Sequence, residues 1–176
     1  MLATFPRGTP LAILAPVHYG YGEILAKRRD PSAIRMDPVA ASAQSSALIA
    51  RGNILLEGLD GFVDPAEFLR KLAKAAPNAR LFALVSNAAH LRGLADFFNG
   101  APLAAAHPLV REELEPLFAS GGWRVIEINA IYDEAVAVSE PLPLPVEMRG
   151  IRFSLPDEPM RARGRVYAFL TVADAS

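Results

Sequence analysis

Residues 53–86 read NILLEGLDGFVDPAEFLRKLAKAAPNARLFALVS, and this stretch decides the fold. It opens and closes on continuous apolar runs, Asn53–Leu59 and Arg80–Ser86. Short apolar runs without alternation suit strands buried on both faces. Between them, Asp64 precedes Pro65, and Glu67 follows three residues after the aspartate. An N-cap acid, a proline at the first helical position and a glutamate at the third satisfy the free N–H groups of a helix start. Strands alternating with helices in this way imply a largely parallel sheet covered on both faces.

The same alternation extends both ways. Leu11–Val17 reads as a buried strand, followed by a short helix over Gly22–Arg28. Ala33–Met36 is a second strand ending at Asp37, and the alanine-rich 38–52 is a helix closed by Gly52. After residue 86, Asn87 is positioned to cap a helix whose Leu91, Leu94, Ala95 and Phe98 share one face, with Gly100 ending it. Residues 110–122 read as a helix stopped by Gly121 and Gly122, which Pro116 kinks or shortens. Trp123–Asp133 is a strand presenting Val125, Ile126 and Ile128. Ser139–Pro159 is a proline-rich extended connection, and Arg165–Ala175 is the last strand. With no helix expected between these final strands, they form an antiparallel hairpin at the sheet edge. The whole chain, 1–176, is expected to be one domain.

Bulk properties exclude several function classes. The chain is 52% hydrophobic, with 18 basic and 19 acidic residues and a net charge of -1. That balance offers no field for nucleic acid or an anionic membrane. There is no cysteine, which excludes disulfides, thiolate ligands and a cysteine nucleophile. The N-terminal MLATFPRGTP lacks the order of a secretory signal, and no apolar run reaches membrane-spanning length. A soluble, cytoplasmic protein is expected. The three histidines have no metal-ligand spacing, and neither a GxSxG elbow nor a Walker-type loop is present. The turn YGYGEIL lacks the third glycine of a nicotinamide-binding fingerprint.

The order of elements resembles the class I S-adenosylmethionine-dependent methyltransferases. The resemblance spans most of the chain. It is clearest from Asn53 to Glu134, through NILLEGLDGFVDPAEFLRKL, ARLFALVSNAAHLRGLADFFNG and AAAHPLVREELEPLFASGGWRVIEINAIYDE. It implies a three-layer, Rossmann-like α/β domain with a mostly parallel sheet and an antiparallel last strand. S-adenosylmethionine is the implied cofactor. The family's first strand ends in an acid and a glycine-rich turn; here PVHYGYG puts Pro16 in the place of the acid and His18 in that of the first glycine. Gly20 and Gly22 remain, and Asp37 matches the family's ribose-binding acid. Only one helix fits between Asp37 and Asn53, so an edge strand and the adenine-contacting segment are expected to be missing. Asp60 keeps the acid of an acid–histidine pair, and Gly61 replaces its histidine.

The implied cofactor site is His18, Gly20, Gly22 and Asp37, and the implied base is Asp60 or His107. Each has a plain alternative. Gly20 and Gly22 also suit a tight turn, Asp37 a turn before Pro38, and His18 a packed turn position. Asp60 suits a solvated loop, and His107 a loop histidine bonded to backbone. His90 is read as structural. One hydrogen bond to a charged group contributes about 1.5–3 kcal/mol. Losing the acid at Pro16 together with part of the adenine pocket therefore weakens binding by ~10³-fold. Weak or absent cofactor binding follows, with catalysis weak or lost and the fold kept as a scaffold. A lost edge strand would bare a sheet edge for a second copy or another protein. The alternative is an active methyltransferase acting on a small molecule.

Overall fold

The computed structural model describes residues 11–14, 34–36, 52–98, 100, 107–133, 144–148 and 151–176. Strands β1 (Leu11–Leu14), β2 (Ile34–Met36), β3 (Asn53–Glu57) and β4 (Arg80–Ser86) are mutually parallel, with β1 between β2 and β3. Helix α1 (Pro65–Ala75) joins β3 to β4, and the Asp64 carboxylate accepts the Glu67 N–H at 2.8 Å, as the sequence predicts. Residues 58–61 turn into a short 3₁₀ segment (Leu59–Gly61), so β3 stops earlier than its apolar run suggests. Helices α2 (Leu91–Phe98) and α3 (Arg111–Ser120) lead to β5 (Trp123–Tyr132). Pro116 is accommodated inside α3 without shortening it. In place of a side-chain cap, Glu113 Oε2 accepts the Val110 N–H at 2.9 Å.

The six-stranded sheet runs β2-β1-β3-β4-β8-β5. Among the described residues, β2 is the outermost strand on one side. Strand β8 (Val166–Ala175) is the antiparallel last strand, and it pairs with β5 as expected. The pair ends the sheet on its other side, as expected, with β5 outermost. Strand β8 enters between β4 and β5 and is antiparallel to both. The connection before it differs from the sequence reading. It carries an antiparallel hairpin, β6 (Leu144–Met148) with β7 (Ile151–Leu155), and a helix, α4 (Glu158–Arg165). The Asp157 carboxylate caps α4 by accepting the Met160 N–H at 2.9 Å, and Pro159 sits in its first turn. The prolines that suggest extended chain thus include one that starts a helix.

The main core lies on one face of the sheet. Leu69 and Leu72 of α1 and Leu114 and Phe118 of α3 pack there against Leu56, Leu81 and Phe169. Ile13, Leu55, Phe82, Leu170 and Val172 are buried on the other face. Strand β5 carries a bulge between Val125 and Glu127. In an unbroken strand Ile126 and Ile128 would share a face. The extra residue puts Val125 and Ile128 on the core face and leaves Ile126 51% exposed.

Two contacts fix this side of the molecule. Trp123, the single tryptophan, is buried, and its indole N–H donates to the Leu69 carbonyl at 2.9 Å. Arg80, Asp174 and Arg124 face one another across β4, β8 and β5. Arg80 Nε donates to Asp174 Oδ1 at 2.8 Å, and Arg124 lies 3.8 Å from Oδ2. The hydrogen bond from Arg80 holds the Asp174 carboxyl below the usual carboxylate range.

A Cβ at Gly121 would fall 2.5 Å from Leu69 Cβ. Gly121→Ala therefore forces α1 and α3 apart and should cost about 1–3 kcal/mol. Gly52 has open space but a φ of +72°, so Gly52→Ala should cost only about 1–2 kcal/mol of backbone strain. Thermal unfolding followed by Trp123 fluorescence reads both. A Gly121→Ala melt equal to the parent would refute the close approach.

Because the folded-state pKa of Asp174 is depressed, its contribution is present above the ordinary carboxylate range and is lost as pH falls through it. The pair is partly exposed, so the effect is small. Asp174→Asn should lower the urea midpoint at neutral pH, and the gap should close in acid. A gap independent of pH would refute the ion pair's role.

Candidate functional site at the carboxyl edge of the sheet

The parallel strands β3, β4 and β5 end on the same edge, and β8 begins there, because it runs the opposite way. Open α/β sheets hold ligands at this edge. At the end of β3 lie Glu57 and Asp60, both 1% exposed. Asp60 Oδ1 accepts the Ser86 N–H at a long 3.5 Å, tying the turn after β3 to the end of β4. The backbone carbonyl of Asp60 accepts the His107 N–H at 2.9 Å. This bond brings Asp60 and His107 together from opposite sides of α2. The His107 side chain is exposed, while the Asp60 carboxylate is buried.

A second polar group gathers at the ends of β4 and β5. Asn87 does not cap α2 directly. Its Oδ1 accepts the Ala89 N–H at 3.1 Å, and His90 takes the capping position. The Asn87 amide nitrogen donates to the carbonyls of Arg163 and Val166 at 3.0 and 2.8 Å, and its backbone N–H donates to Tyr167. The end of β4 is thereby fastened to the passage from α4 into β8.

His90 Nε2 lies 3.1 Å from Asp133 Oδ2, with side chains 7% and 14% exposed. The Gly93 N–H points at His90 Nδ1 from 3.4 Å. Nδ1 is therefore the acceptor and Nε2 the proton-bearing donor to Asp133. The ring meets Tyr167 edge-on, with centroids 5.5 Å apart. Both ring nitrogens are engaged, so the pair fastens the edge and leaves neither nitrogen poised for proton transfer.

Solved structures of the same architecture are methyltransferases. A complex of the Haloferax volcanii Trm112 methyltransferase activator with a methyltransferase contains a chain that matches at 16% identity and a TM-score of 0.60, covering 99% of this chain and 86% of that one. A SAM-dependent methyltransferase from Archaeoglobus fulgidus matches at 14% identity and 0.57, covering 95% and 86%. A methyltransferase-type protein from Bacillus halodurans matches at 12% and 0.54, covering 98% and 94%. This chain has the class I methyltransferase fold. It matches no protein-family profile and no curated protein.

Within the methyltransferase fold, the sequence-predicted residues divide. His18, Gly20, Gly22 and Asp37 lie outside the described residues. Asp60 and His107 are brought together, though through backbone. Of the groups implied for S-adenosylmethionine or its substrate, the described residues hold only this pair. The Asp60 carboxylate is buried and accepts the Ser86 amide N–H. The sequence reading did not single out Glu57 or Asp133. A glutamate closing an otherwise apolar strand is a signal that finds Glu57. Asp133 lies 43 residues from His90, and no local pattern joins them. Among the described residues, no group of three or more His, Cys, Asp or Glu is placed to hold a metal, and no helix is long and apolar enough to cross a membrane.

His90→Ala should destabilise the fold by about 1–3 kcal/mol, because it removes a donor to the largely enclosed Asp133 carboxylate. Asp133→Asn should cost less. The double variant should be more stable than the two single costs added together predict, by about 0.5–3 kcal/mol. Strict additivity in urea melts would show that the pair does not interact.

Proposed function

We propose that this chain is a methyltransferase-fold scaffold whose cofactor site is degraded, whose catalysis is weak or lost, and which works by holding a protein partner. One observation carries the reading: Asp60, the acid retained at the mouth position after β3, is buried and bonded to backbone. The sequence points the same way, since Pro16 and His18 stand where the family's carboxylate and first glycine would. A carboxylate removed from the cofactor turn takes away a charged hydrogen-bond acceptor that neutral backbone does not replace.

The partner reading rests on the β2 side of the sheet. Strand β2 is three residues long and has no further strand beyond it among the described residues. An open edge is a ready template for an added strand from a second copy or another chain. The Haloferax volcanii methyltransferase of the same fold was solved in complex with an activator protein, which supports this use of the architecture.

A second reading, an active S-adenosylmethionine-dependent methyltransferase acting on a small molecule, is favoured by the His107–Asp60 backbone bond. That bond supports it by holding an exposed imidazole near an acid, at the edge where open α/β sheets take ligands. In-line methyl transfer draws much of its rate from proximity, and a base only assists. In that reading His107 is the base, because its ring is the one reachable from solvent.

Calorimetry with S-adenosylmethionine and S-adenosylhomocysteine separates the two. The scaffold reading expects no heat at millimolar ligand, and saturable micromolar binding would overturn it in favour of the enzyme. Light scattering on the purified chain should show a dimer, or a co-purified partner. A strict monomer with no partner would count against the open-edge surface even if the cofactor fails to bind.

A further inference from the structure

A cavity of about 380 Å³ lies on the core face of the sheet, beside α3 and α4. Its floor is apolar, from Ile128 and Ala130 of β5 and Phe169 of β8. Arg111 of α3 and Arg163 of α4 stand at its rim. The size falls within the range of small-molecule pockets, ~300–1,000 Å³. It is not the cofactor cleft of the fold, since β3, β4 and β8 separate β5 from β1 in the sheet. Asn87 lines it and is held by the two carbonyls it donates to, so this part of the wall needs little ordering on binding.

The rim charges are unequally matched. Glu112 is taken by Arg163 at 3.1 Å, and Glu113 is turned back onto the Val110 N–H. Arg111 has no such partner among the described residues. It is also the first residue of α3, where a cation opposes the helix dipole. A guanidinium with no ion-pair partner among the described residues, beside an apolar cavity floor, complements a ligand with an apolar body and one negative end. Guanidinium and carboxylate meet in a two-bonded fork, which gives orientation as well as affinity.

We propose that this cavity binds a small amphipathic carboxylate, its apolar or aromatic body over Ile128, Ala130 and Phe169 and its carboxylate on Arg111. The site is independent of whether the chain binds S-adenosylmethionine.

The test is an NMR titration of the full, isotopically labelled chain with 3-phenylpropionate and with its neutral amide, 3-phenylpropionamide. The acid should give saturable shifts at the methyl groups of Ile128, Ala130, Ala162 and Val166. The amide should bind about tenfold or more weakly, the loss expected for one charged hydrogen bond. Arg111→Gln should bring the acid down to the amide's affinity with the rest of the spectrum unchanged. Ala130→Phe, at an exposed position on the floor, should abolish binding of both. No saturable shift at these methyls at millimolar ligand, or shifts centred elsewhere, would overturn the proposal. So would equal binding of acid and amide, or an Arg111→Gln variant that keeps the preference for the acid.

Discussion

The insertion of β8 between β4 and β5 is the constraint on which the rest of the structure depends. β4 and β5 are parallel and never touch as neighbours; each is bonded only through β8 on that side. The β4 ladder runs from Arg80 opposite Asp174 to Ser86 opposite Ala168. The β5 ladder runs from Trp123 opposite Ala175 to Tyr132 opposite Val166. A slip of one residue would send Phe169 and Ala173 to the opposite face and bring Leu170 and Val172 into their place. The register is held at one end by the Arg80–Asp174–Arg124 row. At the other end it is held by the Asn87 N–H to Tyr167 carbonyl bond. Pairings this distant in sequence carry a high loop-closure cost, so this half of the sheet should form late in folding.

The same insertion builds the polar edge. Because β8 runs against its neighbours, its first residues arrive where β4 and β5 end. Tyr167 meets His90 there, the Arg165 carbonyl accepts the Asp133 N–H, and the carbonyls of Arg163 and Val166 reach the Asn87 amide. Helix α4 is held over the sheet by these bonds and roofs the cavity beside α3. Without the crossing strand, the fastening and the cavity would both be lost.

The β3–α1–β4 unit was legible because each signal was local. Two apolar runs and the Asp64–Pro65–Glu67 start specify it without reference to the rest of the chain. The methyltransferase fold was legible from the order of such units. The place of β8 was not, since strand order depends on pairing partners ninety residues apart, such as Arg80 and Asp174. Helix α4 had a readable start, Asp157 with Pro159, but the surrounding prolines masked it. The bulge at Ile126 had no signal at all, because Val125, Ile126 and Ile128 suit either face. At the site, Asp60 and His107 were both named from the sequence, but the backbone bond that joins them, and the burial of the carboxylate, are tertiary facts. His90 was read as structural, and its contacts are structural; its partner Asp133 could be found only by folding the chain.

Where the stability resides bears on how a fold of this kind can outlive its chemistry. The fully buried large side chains include Leu56, Leu59, Leu69, Leu81, Leu114, Phe118, Trp123 and Leu170. Each contributes on the order of 1.5–3 kcal/mol when buried. Among the described residues, only Leu14 of that class belongs to β1. On the scaffold reading proposed above, the core around α1, α3 and β8 is what keeps the sheet when the cofactor site is lost. A methyltransferase that loses its ligand by this route keeps its sheet, its carboxyl edge and its surface. On that reading, selection acts on the retained surfaces for a partner or a different small molecule.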